Sequence, residues 1–319
     1  MRVPPELAAS HVRYSGEAGR RWAAALPDLA AEFIERWDLR VDGPSAYGAV
    51  ALVLPVRRLD GTPAVLKLQP VDHETVGEAV ALALWDGHGA VRLLAHDPSS
   101  GSMLLERLDA SRSLHSVPDD LAAVGVIADL LVELNAVPAP VGLRSLREVL
   151  RPTLEGVVPA VARLGDDLER RLLRECAARL QEVLAEPVGS RLLHWDLHYA
   201  NVLAALDEPS RWVAIDPKPL AGDPGFELLP ALWNRWDDVM RSTDPTGSVL
   251  RRFDVMTERL GLDQDRAVAW TLGRVLQDAV WDLTLLGERR IRPEHQTIAE
   301  ALIQRRGRSL PSRSAPVHQ

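Results

Sequence analysis

His194-Trp195-Asp196-Leu197-His198-Tyr199-Ala200-Asn201, followed by Ile215-Asp216-Pro217, is the densest set of reactive side chains in the chain. Asn201 stands five positions after Asp196, and Asp216 stands twenty positions after it. The apolar runs Leu192-Leu193, Val202-Leu203-Ala204 and Trp212-Val213-Ala214-Ile215 around these residues read as short strands joined by tight loops. Such loops bring three separated oxygen side chains, Asp196, Asn201 and Asp216, to one place.

That spacing reproduces the catalytic-loop pattern H-x-D-x-x-x-x-N of kinases, followed by a metal-binding Asp at a strand end. A nucleoside triphosphate travels as its magnesium complex, and magnesium takes hard oxygen ligands, the role Asn201 and Asp216 fit. A hydroxyl attacking a γ-phosphate must be aimed in line and lose its proton, which a carboxylate at Asp196 can do. A second pattern competes. His194, Asp196 and His198 alternate, and on a strand they would present three zinc-type ligands of a hydrolase. That reading leaves Asn201, Asp216 and an upstream lysine without a role.

The lysine is Lys67 in Ala64-Val65-Leu66-Lys67-Leu68, a charge inside an apolar strand. A buried ammonium is costly to desolvate and demands a partner. In kinases such a strand lysine contacts the α- and β-phosphates and is held by a helix glutamate. The helical pattern from Glu74 to Trp85, with Val76, Val80 and Leu84 on one face, offers both Glu74 and Glu78, of which Glu78 lies deeper in the helix. Gly43-Pro44-Ser45-Ala46-Tyr47-Gly48 precedes a strand and is the candidate phosphate-covering loop, with Ser45 at its centre and without the complete G-x-G-x-x-G pattern. Leu104 to Asp109 lies where strands give way to helices and reads as a hinge, so backbone groups near Glu106 and Leu108 are candidates to bond adenine.

Working outward, Ala49–Leu54, Ala64–Leu68, Val91–Leu94 and Met103–Leu105 read as antiparallel strands, separated by turn signals at Asp60-Gly61 and Asp97-Pro98-Ser99-Ser100-Gly101. Long amphipathic stretches follow: Asp119–Leu134, Leu143–Leu164, Asp166–Leu184, Arg251–Leu260 and Arg266–Leu286. The expected class is α+β in two lobes. Residues 1–108 form a strand-rich N-terminal lobe and residues 109–306 a mostly helical C-terminal lobe. Residues 307–319, with no apolar periodicity, form a disordered tail.

Composition narrows the function. Apolar residues make up 46% and charged residues 26%, the balance of a soluble globular protein. The 45 acids against 37 bases give a formal net charge of −8, which disfavours nucleic acid and anionic membranes and favours a cationic small molecule. No obligatory protein partner is evident. The single cysteine, Cys176, has no partner for an intrachain disulfide, and there is neither a signal pattern nor a long apolar run. A cytoplasmic location is expected.

The residues from His194 to Leu203, with Ala214-Ile215-Asp216-Pro217 and Gly222-Asp223-Pro224-Gly225-Phe226, resemble the aminoglycoside phosphotransferases, in particular their streptomycin 6-kinase and hydroxyurea kinase branch. The likeness extends to Leu66-Lys67-Leu68-Gln69, Leu104-Leu105-Glu106-Arg107-Leu108 and Leu276-Gln277-Asp278 with Trp281-Asp282. It implies a protein-kinase-like fold and ATP- and Mg2+-dependent phosphorylation of a streptomycin hydroxyl, which inactivates the antibiotic. Asp196 would be the base, Asn201 and Asp216 the metal ligands and Lys67 the phosphate contact. His194 and Asp223 would support the catalytic loop. Pro217 stands where protein kinases have Phe, so their regulation by that residue does not carry over. Between Asp223 and Asp282 there are eleven acids and seven bases, so Asp278, Asp282 and Asp238, with Gln277 and Trp281, are candidates to meet a guanidinium-bearing acceptor. Other acceptors fit the same machinery: another aminoglycoside, an aminocyclitol or hydroxyurea. A nucleotide-binding sensor without chemistry is the non-enzymatic alternative.

Overall fold

The computed structural model describes residues 3–48 and 50–309. It divides into two compact units, one running to Leu114 and including Asn201–Pro219, the other comprising His115–Ala200 and the chain from Leu220.

The first unit opens with α1 (Pro5–Arg36), then β1 (Arg40–Val41), β2 (Ala46–Tyr47), β3 (Leu52–Arg57), β4 (Pro63–Leu68), α2 (Glu78–Trp85), β5 (Leu93–Asp97), β6 (Ser102–Glu106) and β7 (Leu108–Ser113). The antiparallel sheet has the order β1-β3-β4-β6-β5, with β2 beside β3. In β3 buried and less buried residues alternate, as a strand covered on one face requires. The β3–β4 turn uses Gly61 at φ +83°, and Asp60 accepts the Thr62 N–H there. The Asp97 carboxylate organises the β5–β6 turn, accepting from Ser99, Ser100 and Arg36. Its Ser99 and Ser100 donors hold it well below the usual carboxylate range.

The long helix α1 has no counterpart among the expected elements. Leu26, Ala30 and Phe33, at helical spacing, pack with Leu7 onto Leu52, Leu54, Val56, Leu66 and Leu104 of the sheet. Gly16 (φ +55°) and Pro27 interrupt its regularity, which hides the period in the sequence. The expected face of α2 is also corrected. Val76, Val80 and Leu84 are 62%, 48% and 44% exposed, and the helix buries Glu78, Ala79, Ala81, Leu82 and Trp85 instead. Turning this face inward is what brings Glu78 to Lys67.

The chain continues through α3 (Asp120–Leu134), α4 (Leu146–Glu155), α5 (Val157–Arg163), α6 (Asp167–Leu184) and β8 (Arg191–Leu193). It returns to the first unit with β9 (Val202–Ala205) and β10 (Trp212–Ala214), which form the three-stranded sheet β10-β9-β7. This pairing, with a bridge between Ala90 and Ala214, places Asn201–Pro219 with the first unit rather than with the expected 109–306 lobe. The second unit then adds β11 (Leu220–Gly222), paired with β8, and α7 (Leu229–Leu232), α8 (Trp236–Arg241), α9 (Pro245–Leu260), α10 (Gln264–Trp281) and α11 (Pro293–Ser309).

Four of these helices begin on an aspartate whose carboxylate accepts a first-turn N–H: Asp119 for α3, Asp166 for α6, Asp244 for α9 and Asp263 for α10. The helix α10 packs on α6, and α3 packs on α9. The expected helix over Leu143–Leu164 is two helices broken at Gly156, where a Cβ would come within 2.6 Å of the Val280 side chain. The expected Arg266–Leu286 helix ends at Trp281 and passes into a π-helical turn, Asp282–Leu286. Cys176 is buried in α6, and burial pushes its thiol up to about 12, so it is a packing residue. Of the expected tail, residues 307–309 belong to α11, and 310–319 lie outside the described residues, as do Met1, Arg2 and Ala49. Among the described residues no helix is long and apolar enough to cross a membrane.

Candidate active site

In the first unit Lys67 occupies the middle of β4, between Val53 of β3 and Met103 of β6. Its Nζ donates to Glu78 Oε1 at 2.6 Å and to Asp216 Oδ1 at 2.5 Å. Gln69, two residues on, donates to the other Glu78 oxygen at 2.6 Å. Burial alone would push the Lys67 ammonium down, but the Asp216 and Glu78 carboxylates outweigh it and hold its pKa above the ordinary lysine value. The lysine is therefore charged at any physiological pH. Glu74 is not a rival, because α2 starts only at Glu78. Glu74 lies in the preceding turn, its N–H on Asp72 and its carboxylate near His73.

Asp216 follows β10 in the left-handed region, φ +59°, and Ile215 N–H bonds Asn201 C=O at 2.9 Å. That bond ties the loop bearing Asn201 to the strand end bearing Asp216. An amide and a carboxylate oxygen are hard donors that suit magnesium and not a soft metal. The other nucleotide candidates also lie in this unit. Ser45 is half-buried beside β2. Glu106 closes β6, its carboxylate accepting Arg92 N–H, and Leu108 opens β7. Arg107 between them donates to Asp42, just before the glycine-containing loop, at 2.6 Å.

In the second unit the catalytic loop leaves β8. His194 is fully buried, and its Nδ1 accepts Asp196 N–H at 3.3 Å. The zinc arrangement is not formed: among the described residues no three His, Cys, Asp or Glu side chains converge to hold a metal. Glu227, which the sequence reading missed, braces the loop by accepting the N–H groups of His194 and Trp195, each at 2.8 Å. Asp223, expected in that role, instead caps Gly225 N–H and accepts from Arg266 at 2.7 Å. The exchange has a local cause, since Asp223 begins the 3-10 turn Pro224–Glu227 and Glu227 ends it. Arg274 lies over the Trp195 ring at 4.9 Å and the Phe226 ring at 5.5 Å.

The five acceptor candidates differ in surroundings. Asp282 is 3% exposed and held by both Nε and Nη2 of Arg292 at 2.6 Å. Asp238 is held by Arg235 and Arg241. Asp278 pairs with Arg274 and lies 3.8 Å from His295, and Gln277 Oε1 is buried without a hydrogen-bond partner. Trp281 is 51% exposed.

A buried strand lysine held by a helix glutamate and a strand-end aspartate, with an H-x-D-x-x-x-x-N loop, defines a kinase-like phosphotransferase. The fold agrees. An aminoglycoside-3'-phosphotransferase of type VIII superposes with a TM-score of 0.51 at 17% identity, covering 80% of this chain and 98% of that one. Residues 36–284 match the family described as aminoglycoside/hydroxyurea antibiotic resistance kinase, and the chain belongs to that family. It is 56% identical to a streptomycin 6-kinase of Streptomyces glaucescens, over 94% of this chain and 96% of that protein. It is 54% identical to a hydroxyurea phosphotransferase of Kitasatospora aureofaciens, over 96% of this chain and 87% of that protein.

Proposed function

We propose that the protein transfers the γ-phosphoryl group of ATP to a hydroxyl of streptomycin and so inactivates the antibiotic. The observation that carries the phosphotransferase reading is the Lys67 ammonium, buried and held between Glu78 and Asp216. The choice of acceptor is supported by the 56% identity to a streptomycin 6-kinase and by the formal charge of −8, which suits a cationic drug.

Lys67 meets the α- and β-phosphates, and Glu78 fixes its direction. Asn201 and Asp216 hold a magnesium ion, which neutralises phosphate charge when bound. Ser45 and the backbone near Glu106 and Leu108 hold the rest of the nucleotide. Asp196 orients the acceptor hydroxyl and takes its proton as the new O–P bond forms and the bond to the ADP oxygen breaks. His194 and Glu227 hold the loop that carries Asp196. Trp281, half exposed, is the acceptor-facing candidate, because arginines already hold Asp282, Asp238 and Asp278.

The test is ATP consumption with magnesium in parallel arms containing streptomycin, hydroxyurea or no acceptor, with mass spectrometry of the acceptor. Streptomycin-dependent turnover with one added phosphate is expected. Turnover with hydroxyurea alone would overturn the acceptor and keep the reaction. ATP binding with no turnover on any acceptor would overturn the enzyme reading.

A further inference from the structure

Arg252 on α9 is the largest charged group buried in the second unit, at 1% exposure, and no step assigned above uses it. A guanidinium in that setting must satisfy its donors within the protein. Nε and Nη2 form a fork on the two carboxylate oxygens of Asp120, both at 2.8 Å, and Nη1 donates to Leu232 C=O at 2.8 Å and Asn234 C=O at 2.7 Å. Two of these residues, Asp120 and Asn234, also hold Tyr199. Tyr199 N–H donates to Asn234 Oδ1 at 3.1 Å, and its hydroxyl reaches the Asp120 carboxylate at 3.4 Å. Asn234 Nδ2 is fixed in turn on Pro230 C=O at 2.9 Å. The neighbouring Arg235 repeats the device, donating to Val117 and Pro118 C=O just before α3.

Resting on the reading of Asp196 as general base, we propose that Arg252 is a positioning residue for the catalytic loop. It locks Asp120 and the Asn234 backbone, these clamp Tyr199, and Tyr199 lies three residues after Asp196 in the same tight loop. A rigid fork suits this task because it constrains two partners at once, whereas an ammonium acts as a point charge. Displacement of a reacting group by about 1 Å from a distant change costs roughly 10²-fold in rate.

The test uses the full chain with ATP, magnesium and whichever of streptomycin or hydroxyurea supports turnover, in Arg252→Gln, Arg252→Lys, Asn234→Ala and the Arg252→Gln/Asn234→Ala double variant. Folded Arg252→Gln should lose kcat roughly 10- to 100-fold while KM for ATP stays within about two-fold, with partial recovery in Arg252→Lys. The double variant should lose no more than its worse single, since both act through Tyr199. Hydrogen exchange of the amides from Trp195 to Tyr199 should rise in Arg252→Gln whether or not an acceptor is present. Unchanged kcat, losses that multiply, or unchanged loop exchange in folded Arg252→Gln would each overturn the inference. Should Arg252→Gln not fold, Asp120→Asn carries the same expectations and the same refutations, because its side chain is partly exposed. Asp196→Asn is run beside them. Full turnover there removes the base reading, whereas normal Arg252→Gln beside a dead Asp196→Asn removes only the role of Arg252.

Discussion

Trp195 holds a backbone φ of +69° while its N–H is donated to the buried Glu227 carboxylate at 2.8 Å. A bulky residue in that region is strained by roughly 1–3 kcal/mol and persists only where its surroundings over-determine it. Glu227 and the Arg274 guanidinium on the indole face are those surroundings.

Burial pushes the Glu227 carboxyl up to about 7 from its ordinary 4.5, against the pull of the His194 and Trp195 N–H groups. A carboxyl with a raised folded pKa binds its proton more tightly in the folded chain, so its contribution favours folding below about 4.5 and is lost as pH rises to about 7. Urea unfolding at several pH values should therefore show a component of this sign, on the order of 3 kcal/mol, in the parent protein. Glu227→Gln should lack it. An identical pH slope in the variant would assign the effect to another group.

Lys67→Met should fold, because an apolar side chain suits β4, but it leaves Glu78 buried without its counter-charge. We expect kcat/KM for ATP to fall roughly 10²-fold, the loss typical of one preorganised cationic donor. Glu78→Gln, which keeps the shape and weakens the hold on Nζ, should cost about ten-fold. Steady-state kinetics against ATP concentration decides both, and wild-type values in Lys67→Met would remove the lysine from the site.

Asp196→Asn should lower turnover by roughly 10² to 10⁴ with ATP binding largely intact, the range for losing a general base. Calorimetric titration of ATP beside single-turnover kinetics separates the two. Unchanged turnover would end the assignment of Asp196.

Asp282→Asn should act on stability. Its buried carboxylate is gripped by Arg292, which is itself partly exposed and can rehydrate, so the loss should be about 1–3 kcal/mol, a Tm drop of several degrees. KM for the acceptor should stay unchanged. A raised acceptor KM at normal Tm would instead place Asp282 on the substrate.

The features legible in the sequence were those encoded locally. The Asp60-Gly61 turn, the apolar runs that became β3, β4 and β6, and the spacing of Asp196, Asn201 and Asp216 need only neighbours to be read. Lys67 was legible because a charge interrupts an apolar strand. What stayed hidden depends on distant pairing. The face of α2 is set by the ion pair of Glu78 with a lysine eleven positions earlier, which outweighs the exposure of Val76, Val80 and Leu84. Glu227 meets a loop more than thirty positions before it, and Arg252 meets Asp120 across 132 positions. No period or motif records such meetings. The helix α1 was missed for a simpler reason, a glycine and a proline inside an alanine-rich stretch.

The aspartates that open α3, α6, α9 and α10 change what the acid excess means. Each already faces the partial positive charge of a helix start, so its field at a distance is damped. They join Asp282, Asp238 and Asp120, which arginines neutralise within the fold. Seven of the 45 acids are thus engaged within the fold, and the local field felt by a cation is shaped by the carboxylates with no such engagement. Counting charges alone misses this division, and removing the capping aspartates would weaken each helix start by about 1 kcal/mol.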